Sequence, residues 1–187
     1  MTTAPTYALD RLNFLLIDDN KHMRSIVKAI LRSFGCKNVV EAADGADAFR
    51  EMRHFPVDII IVDRNIQPID GIEFVRLVRT GKDSANHFVP IIMLTGHSEV
   101  HNVLEARDAG VNEFLVKPIS AAALHAHVRD VIERPRPFVR SHTYFGPDRR
   151  RHNVPFKGRD RRKPIPPPPP AEPVVPPPAP PSSGPAG

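Results

Sequence analysis

Five times along this chain a short apolar run gives way to a helical pattern, and nothing else limits its fold as much. The runs are Leu12-Asn13-Phe14-Leu15-Leu16-Ile17, Asn38-Val39-Val40-Glu41-Ala42, Val57-Asp58-Ile59-Ile60-Ile61-Val62, Val89-Pro90-Ile91-Ile92-Met93-Leu94 and Phe114-Leu115-Val116. After the first, Met23, Ile26, Val27, Ile30, Leu31 and Phe34 recur at steps of three and four, one stripe of an amphipathic helix that stops at Gly35. Asp44-Gly45 opens the next helix, which ends before Pro56. Ile72, Val75 and Val78 mark a third, closed by Gly81, and Val100, Val103, Leu104 and Ala106 a fourth, ending at Ala109-Gly110. Ser120 is placed to cap the last, whose stripe is Leu124, Val128, Val131 and Ile132. Strands alternating with helices in this way make an α/β fold, a parallel sheet covered by helices on both faces.

Right-handed crossovers leave few ways to order five such strands. The flavodoxin-like order 2-1-3-4-5 suits the chain, and the unbroken apolar run Val57–Val62 suits an interior strand buried on both faces. In a sheet of this kind the carboxyl ends of the strands border one crevice, where ligands bind. Four runs end there on a polar residue: Asp18-Asp19, Asp63, Thr95-Gly96 and Lys117-Pro118. Three carboxylates, a hydroxyl and an ammonium would thus converge. Carboxylates are the ligands that Mg²⁺ prefers, together with water and phosphate. A carboxylate nucleophile forms an aspartyl-phosphate, and an ammonium neutralises a phosphoryl oxygen as a point charge.

With these residues in this order, the chain resembles the receiver domain of two-component response regulators over roughly residues 9–134. Asp70-Gly71 in the loop after Asp63 matches the family pattern too, as do Asn65, two residues past Asp63, and Phe114, three before Lys117. The resemblance implies that Asp63 is the phosphorylated residue, with Thr95 and Lys117 completing the reactive set. It further implies Mg²⁺ as cofactor, held by Asp18, Asp19, Asp63 and the backbone of Asn65, and a conformational switch formed by Thr95 and Phe114. One departure stands out: the family commonly has proline four residues past the phosphoacceptor, whereas here that position is Gln67 and proline follows as Pro68. An altered loop is the expectation. His97, two residues past Thr95, falls where the family varies side chains that tune the phosphoryl lifetime. His97 and His101 share a helix face by spacing, but no third metal ligand accompanies them.

Charge divides the chain near Arg134. Residues 1–134 hold 16 Lys and Arg against 18 Asp and Glu, while residues 135–187 hold 10 against 3, so the net charge of +5 belongs to the C-terminal part. Three segments are expected: the receiver at 9–134, a basic Arg-rich extension at 135–163, and a proline-rich disordered tail at 164–187, where 13 of the residues are proline. The extension carries the related pair Gly146-Pro147-Asp148-Arg149-Arg150-Arg151 and Gly158-Arg159-Asp160-Arg161-Arg162-Lys163 among scattered aromatics. Its polarity argues for a solvated extension and against a second folded output domain. The proline-rich segment reads as a semi-rigid spacer or a docking strip for an aromatic groove.

The expected function is therefore a stand-alone phosphoacceptor in a phosphorelay. The resemblance implies that it is charged by a histidine kinase or histidine phosphotransfer protein and signals through a protein partner, on the surface that the family places around the fourth and fifth helices, here about Glu99–Asp108 and Ser120–Glu133. Its only chemistry would be Mg²⁺-dependent self-phosphorylation and autodephosphorylation at Asp63, so no separate enzymatic activity is expected. The alternative makes the extension the output, with Arg149–Arg151 and Arg159–Lys163 interleaved with Tyr144, Phe145 and Phe156 to bind nucleic acid. A phosphatase of the haloacid dehalogenase type also uses an aspartyl-phosphate, but it needs an Asp-x-Asp pair after the first strand, which Asp18-Asp19-Asn20 does not supply. A single cysteine, Cys36, rules out an internal disulfide. No apolar run reaches the ~20 residues of a membrane span and no signal-peptide pattern opens the chain, so the expected location is the cytoplasm, away from membranes.

Overall fold

The computed structural model of the protein describes residues 9–82, 84–96, 100–150 and 163–165. His97, Glu99, Phe156, Arg151, Arg159–Arg162 and the proline-rich run beyond Ile165 lie outside the described residues, as does the side chain of His101.

Strands β1 (Asn13–Ile17), β2 (Asn38–Ala42), β3 (Ile59–Asp63), β4 (Ile91–Thr95) and β5 (Glu113–Val116) form one parallel sheet in the order β2-β1-β3-β4-β5. This is the flavodoxin-like order expected from the alternation. The helices are α1 (Lys21–Ser33), α2 (Gly45–His54), α3 (Gly71–Thr80), α4 (Val100–Ala109) and α5 (Ala121–Glu133).

The interior strands explain their own composition. Every residue of β3 and β4 is buried, because successive side chains feed opposite faces and both faces are covered. Leu15, Ile17, Ile60, Val62, Ile91 and Met93 pack on one side with Ala48, Met52, Phe74, Val75, Val78 and Ala106 of α2, α3 and α4. Phe14, Leu16, Ile59, Ile61, Ile92 and Leu94 pack on the other with Val27, Leu31, Leu124 and Val128 of α1 and α5. Cys36 is buried in this second layer and burial pushes its thiol pKa up, as befits a packing residue.

The helix starts are written in the caps. Asn20 accepts from the amides of His22 and Met23, Asp44 from Asp47, and Asp70 from Glu73. Ser120 accepts from Ala123, the cap its position predicts. Gly35 after α1 takes a left-handed backbone with φ of 89°, which glycine adopts without steric cost.

The chain after Pro135 departs from expectation. Residues 136–150 are not a solvated extension: β6 (Phe138–Arg140) and β7 (Phe145–Pro147) form an antiparallel hairpin, and β8 (Lys163–Ile165) pairs with the other edge of β6. Phe138, Val139 and Tyr144 are buried. Phe88 of the main domain stacks at 5.1 Å from Phe138 and 5.4 Å from Phe145, so the hairpin borrows a core it is too small to build alone.

At its centre is Arg79 of α3, 2 % exposed. It donates to the carbonyls of Gly110, His87 and Val89 and to Asn112 Oδ1, at 2.8–3.0 Å, and stacks 5.1 Å from the Phe138 ring. Burial pulls its pKa down to about 9, which leaves the guanidinium charged at neutral pH. Arg136 extends the tie by donating to the carbonyls of Asn112 and Asp148.

Candidate functional site

The C-terminal ends of β1, β3, β4 and β5 deliver their polar residues to one crevice. Asp18 is fully buried, Asp63 is 5 % exposed and Thr95 is buried, while Asp19 faces solvent. Carboxylate oxygens of Asp18, Asp19 and Asp63 all lie within 4.8 Å of one another. Lys117 reaches in from the end of β5, its Nζ 3.0 Å from Asp63 Oδ1 and 3.3 Å from Asp18 Oδ2.

Local structure sets each of these positions. The amide of Asn20 donates to Asp18 Oδ1 at 2.8 Å, and the Arg24 guanidinium donates to the Asp18 carbonyl at 2.7 Å while pairing with Glu41 of β2. The Lys117 amide donates to the Thr95 carbonyl at 2.8 Å, which locks the ends of β4 and β5 together. The Arg64 amide donates to the Leu94 carbonyl at 2.9 Å and fixes the end of β3.

Gly71 explains the Asp70-Gly71 motif. Its amide donates to the Arg64 carbonyl at 2.8 Å, and a Cβ there would stand 2.3 Å from the Asp63 carbonyl oxygen. Only glycine lets α3 start that close to the strand carrying Asp63. The loop between them contains Gln67 and Pro68, joined by a cis peptide bond, and still closes on Gly71. Asn65 is exposed on this loop.

The electrostatics are deliberately unbalanced. Burial raises the Asp63 pKa, and the neighbouring Asp18 charge pushes it the same way; Lys117 opposes both by ion pairing. Asp63 Oδ1 is buried with the Lys117 ammonium 3.0 Å away as an ion-pair partner and no well-directed hydrogen bond completed to it. Three carboxylates facing one ammonium leave a deficit of positive charge that a divalent cation fits, and hard oxygen donors are what Mg²⁺ selects.

The response regulator receiver domain family matches residues 14–129. This chain belongs to that family. The receiver is 33% identical to the chemotaxis protein CheY of Pseudomonas aeruginosa over 123 residues, 66% of this chain and 98% of that protein. It is 32% identical to chemotaxis protein CheY-3 of Vibrio cholerae serotype O1 over 123 residues, 66% and 93% of the two chains. Among solved structures, that of CheY4 from Vibrio cholerae superposes with a TM-score of 0.58 at 32% identity, covering 64% of this chain and 98% of the other. A CheX-CheY-BeF3-Mg²⁺ complex from Borrelia burgdorferi has a chain matching at a TM-score of 0.58 and 26% identity, covering 65% and 89%. The receiver is thus a phosphoacceptor response regulator of two-component signalling, a signalling protein of the kind that works with kinases and phosphotransfer proteins. None of its described helices is long and apolar enough to cross a membrane.

Asp18, Asp19, Asp63 and Lys117 meet at the crevice, while Asn65 is placed only on the exposed loop after β3. Phe114 is half-buried against the α3–α4 core layer and shares a cavity of about 10 Å³ with Arg64, Met93, Thr95, Val103 and Ala106. His125 packs edge-on to Phe34 and His127 lies 3.6 Å from Glu113, so both are ordinary helix residues.

Reading the sequence missed Arg64. Its guanidinium runs under α4, pairs with Glu105 at 3.0 Å, and keeps Nη1 buried without a hydrogen-bond partner. An arginine directly after a buried acidic strand end was the only available signal.

Proposed function

We propose that Asp63 is the phosphoacceptor and takes its phosphoryl group from a phosphohistidine of a histidine kinase or histidine phosphotransfer protein. The observation that supports this best is the state of Asp63 Oδ1: buried, faced by Lys117 at 3.0 Å, and without a well-directed donor. One Asp63 oxygen attacks phosphorus while the phosphorus–nitrogen bond breaks, and the imidazole leaves with that electron pair. Lys117 neutralises a phosphoryl oxygen and the Thr95 hydroxyl donates to another. Asp18, Asp19, Asp63 and the backbone carbonyl of Asn65 would hold Mg²⁺, which would offset the negative charge of the carboxylates and of the incoming phosphoryl group. The Borrelia relative, whose complex holds BeF3 and Mg²⁺, is in keeping with a metal-dependent phosphoryl site.

Self-phosphorylation from a small phosphodonor and hydrolysis back to the carboxylate are the only reactions we assign. Thr95 and Phe114 form the switch: a hydroxyl drawn toward the phosphoryl group vacates space beside the Phe114 ring, and two populations exchange. The signal passes to a protein partner across the α4 and α5 side. Because the kinase consumes a nucleoside triphosphate, we assign the protein to the cytoplasm.

Nothing in the family match favours the nucleic-acid alternative. Three of the cations nearest to it are engaged in the fold: Arg136 by carbonyls, Arg140 over Phe145, and Arg149 by Asp108 and Tyr144.

Acetyl phosphate with Mg²⁺ or with EDTA, followed on a phosphate-affinity gel, tests the reading. A shifted band that requires Mg²⁺ and disappears in Asp63→Asn is expected. A folded wild type that gives no band would leave a receiver scaffold that works without phosphorylation.

A further inference from the structure

Helix α4 is gripped at two points by cations that neither the phosphoacceptor chemistry nor the sheet requires. At the first, Arg64, the residue after Asp63, pairs with Glu105 at 3.0 Å, with Arg76 of α3 adding a longer contact of 3.6 Å. At the second, Arg149, at the end of the C-terminal hairpin, pairs with Asp108 at 3.0 Å, an oxygen it shares with Arg107 of α4, and its guanidinium lies 3.9 Å from the centre of the Tyr144 ring. Glu105 and Asp108 are three residues apart, so the two grips are neighbours along the helix. Among the described side chains of α4, only the small ones of Ala106 and Ala109 reach the core, Leu104 is 42 % exposed, and the cavity that Val103 and Ala106 border is also lined by Arg64, Met93, Thr95 and Phe114.

We propose that α4 acts as a lever between Asp63 and the C-terminal hairpin, with Arg64–Glu105 and Asp108–Arg149 as its two grips, so that the hairpin reads the phosphorylation state. The proposal rests on Asp63 being the phosphoacceptor. A phosphoryl group adds about 1.5 to 2 negative charges and three acceptor oxygens. Arg64 has a buried Nη1 with no hydrogen-bond partner beside the Thr95 end of the site, so the new anion competes with Glu105 for this cation. Loosening Glu105 frees the helix that carries Asp108, and with it the Tyr144–Arg149 end of the hairpin. Pairing of Phe145–Pro147 with Phe138–Arg140, the Phe88 ring against Phe145 and Arg136 on the Asp148 carbonyl keep the hairpin docked, so the response is a loosening within residues 144–149 and not a release of the hairpin.

Coupling of this kind is reciprocal in free energy. Loss of the Asp108–Arg149 grip must therefore shift the stability of the phosphorylated state relative to the unphosphorylated one, although Arg149 touches no reactive group, and a changed dephosphorylation half-life is the kinetic sign of that shift.

Amide hydrogen exchange on the full chain tests the lever, with phosphorylation monitored on the gel in parallel. Acetyl phosphate and Mg²⁺ should speed exchange across Tyr144–Arg149 about two- to fivefold, the range that a half-exposed ion pair supports. Asp63→Asn should show no such change. Unphosphorylated Glu105→Gln should by itself raise exchange in the same segment, and Arg149→Ala should do so and also change the dephosphorylation half-life. Unchanged exchange at 144–149 in a protein that the gel shows to be phosphorylated would overturn the proposal. So would an unaltered hairpin in Glu105→Gln, a result independent of whether Asp63 accepts phosphate.

Discussion

The receiver buries charge in two places, and the two are built on opposite terms. At the carboxyl end of the sheet, Asp18 and Asp63 are buried near one another with a single ammonium between them, and burial raises the Asp63 pKa. At the hairpin, Arg79 is just as deeply buried, but four oxygens receive its N–H groups and an aromatic ring covers it. A buried polar group with every partner in place is a strut, and one left short of partners stores a reaction. The same contrast separates what stabilises this protein from what it spends stability on.

The sharpest way to break the contrast is at the strut. Arg79→Met should cost about 3–4 kcal/mol, because the carbonyls of Gly110, His87 and Val89 lose their donor together, and roughly 10 °C in Tm follows. Calorimetry gives the cost, and the Mg²⁺-dependent gel shift of the remaining folded protein should persist. Were the phosphorylation to vanish with the hairpin, the two regions would not be separate.

Mg²⁺ should act only on the acidic end. Adding the ion at a hundredfold its Kd stabilises by about 2.7 kcal/mol. Asp19→Asn should weaken this gain and Asp63→Asn should remove most of it, while Arg79 variants keep it. An equal thermal shift in Asp63→Asn would exclude Asp63 from the ligand set.

Without metal the sign reverses at Asp63. A carboxyl whose folded pKa lies above its unfolded value binds its proton more tightly when folded. It therefore costs stability at neutral pH, and the cost fades as pH falls through the folded pKa toward the ordinary Asp value of about 3.9. Asp63→Asn in EDTA should accordingly raise Tm at pH 7. Thermal melts from pH 7 to pH 4 should show that advantage shrinking.

The smallest effect is expected at Tyr144. Its hydroxyl donates to the Pro147 carbonyl at 2.7 Å, so Tyr144→Phe should cost about 1 kcal/mol by denaturant titration and leave phosphorylation rates alone.

Much of this was legible before any coordinates. The apolar runs and helical stripes named all five strands and helices of the sheet domain, because periodicities of two and 3.6 are local properties. Asn20, Asp44, Asp70 and Ser120 cap helices through their immediate neighbours, and Ser120 was readable for that reason. The strand-end residues Asp18, Asp63, Thr95 and Lys117 also follow from order alone, since parallel strands must end on one side of their sheet.

Only the tertiary structure decided how the charges are shared. Lys117 meets Asp18 across 99 residues of sequence, and nothing local says that it serves Asp18 and Asp63 together or that Asp63 lies deeper than Asp19. The hairpin was invisible for a related reason. Phe138, Tyr144 and Phe145 are too few to imply a core, and they become one only against Phe88 and Arg79 of a domain already folded. Order along the chain determines which groups can reach a site. Burial, and hence pKa and partner, depends on the contacts that distant segments make when they close over it.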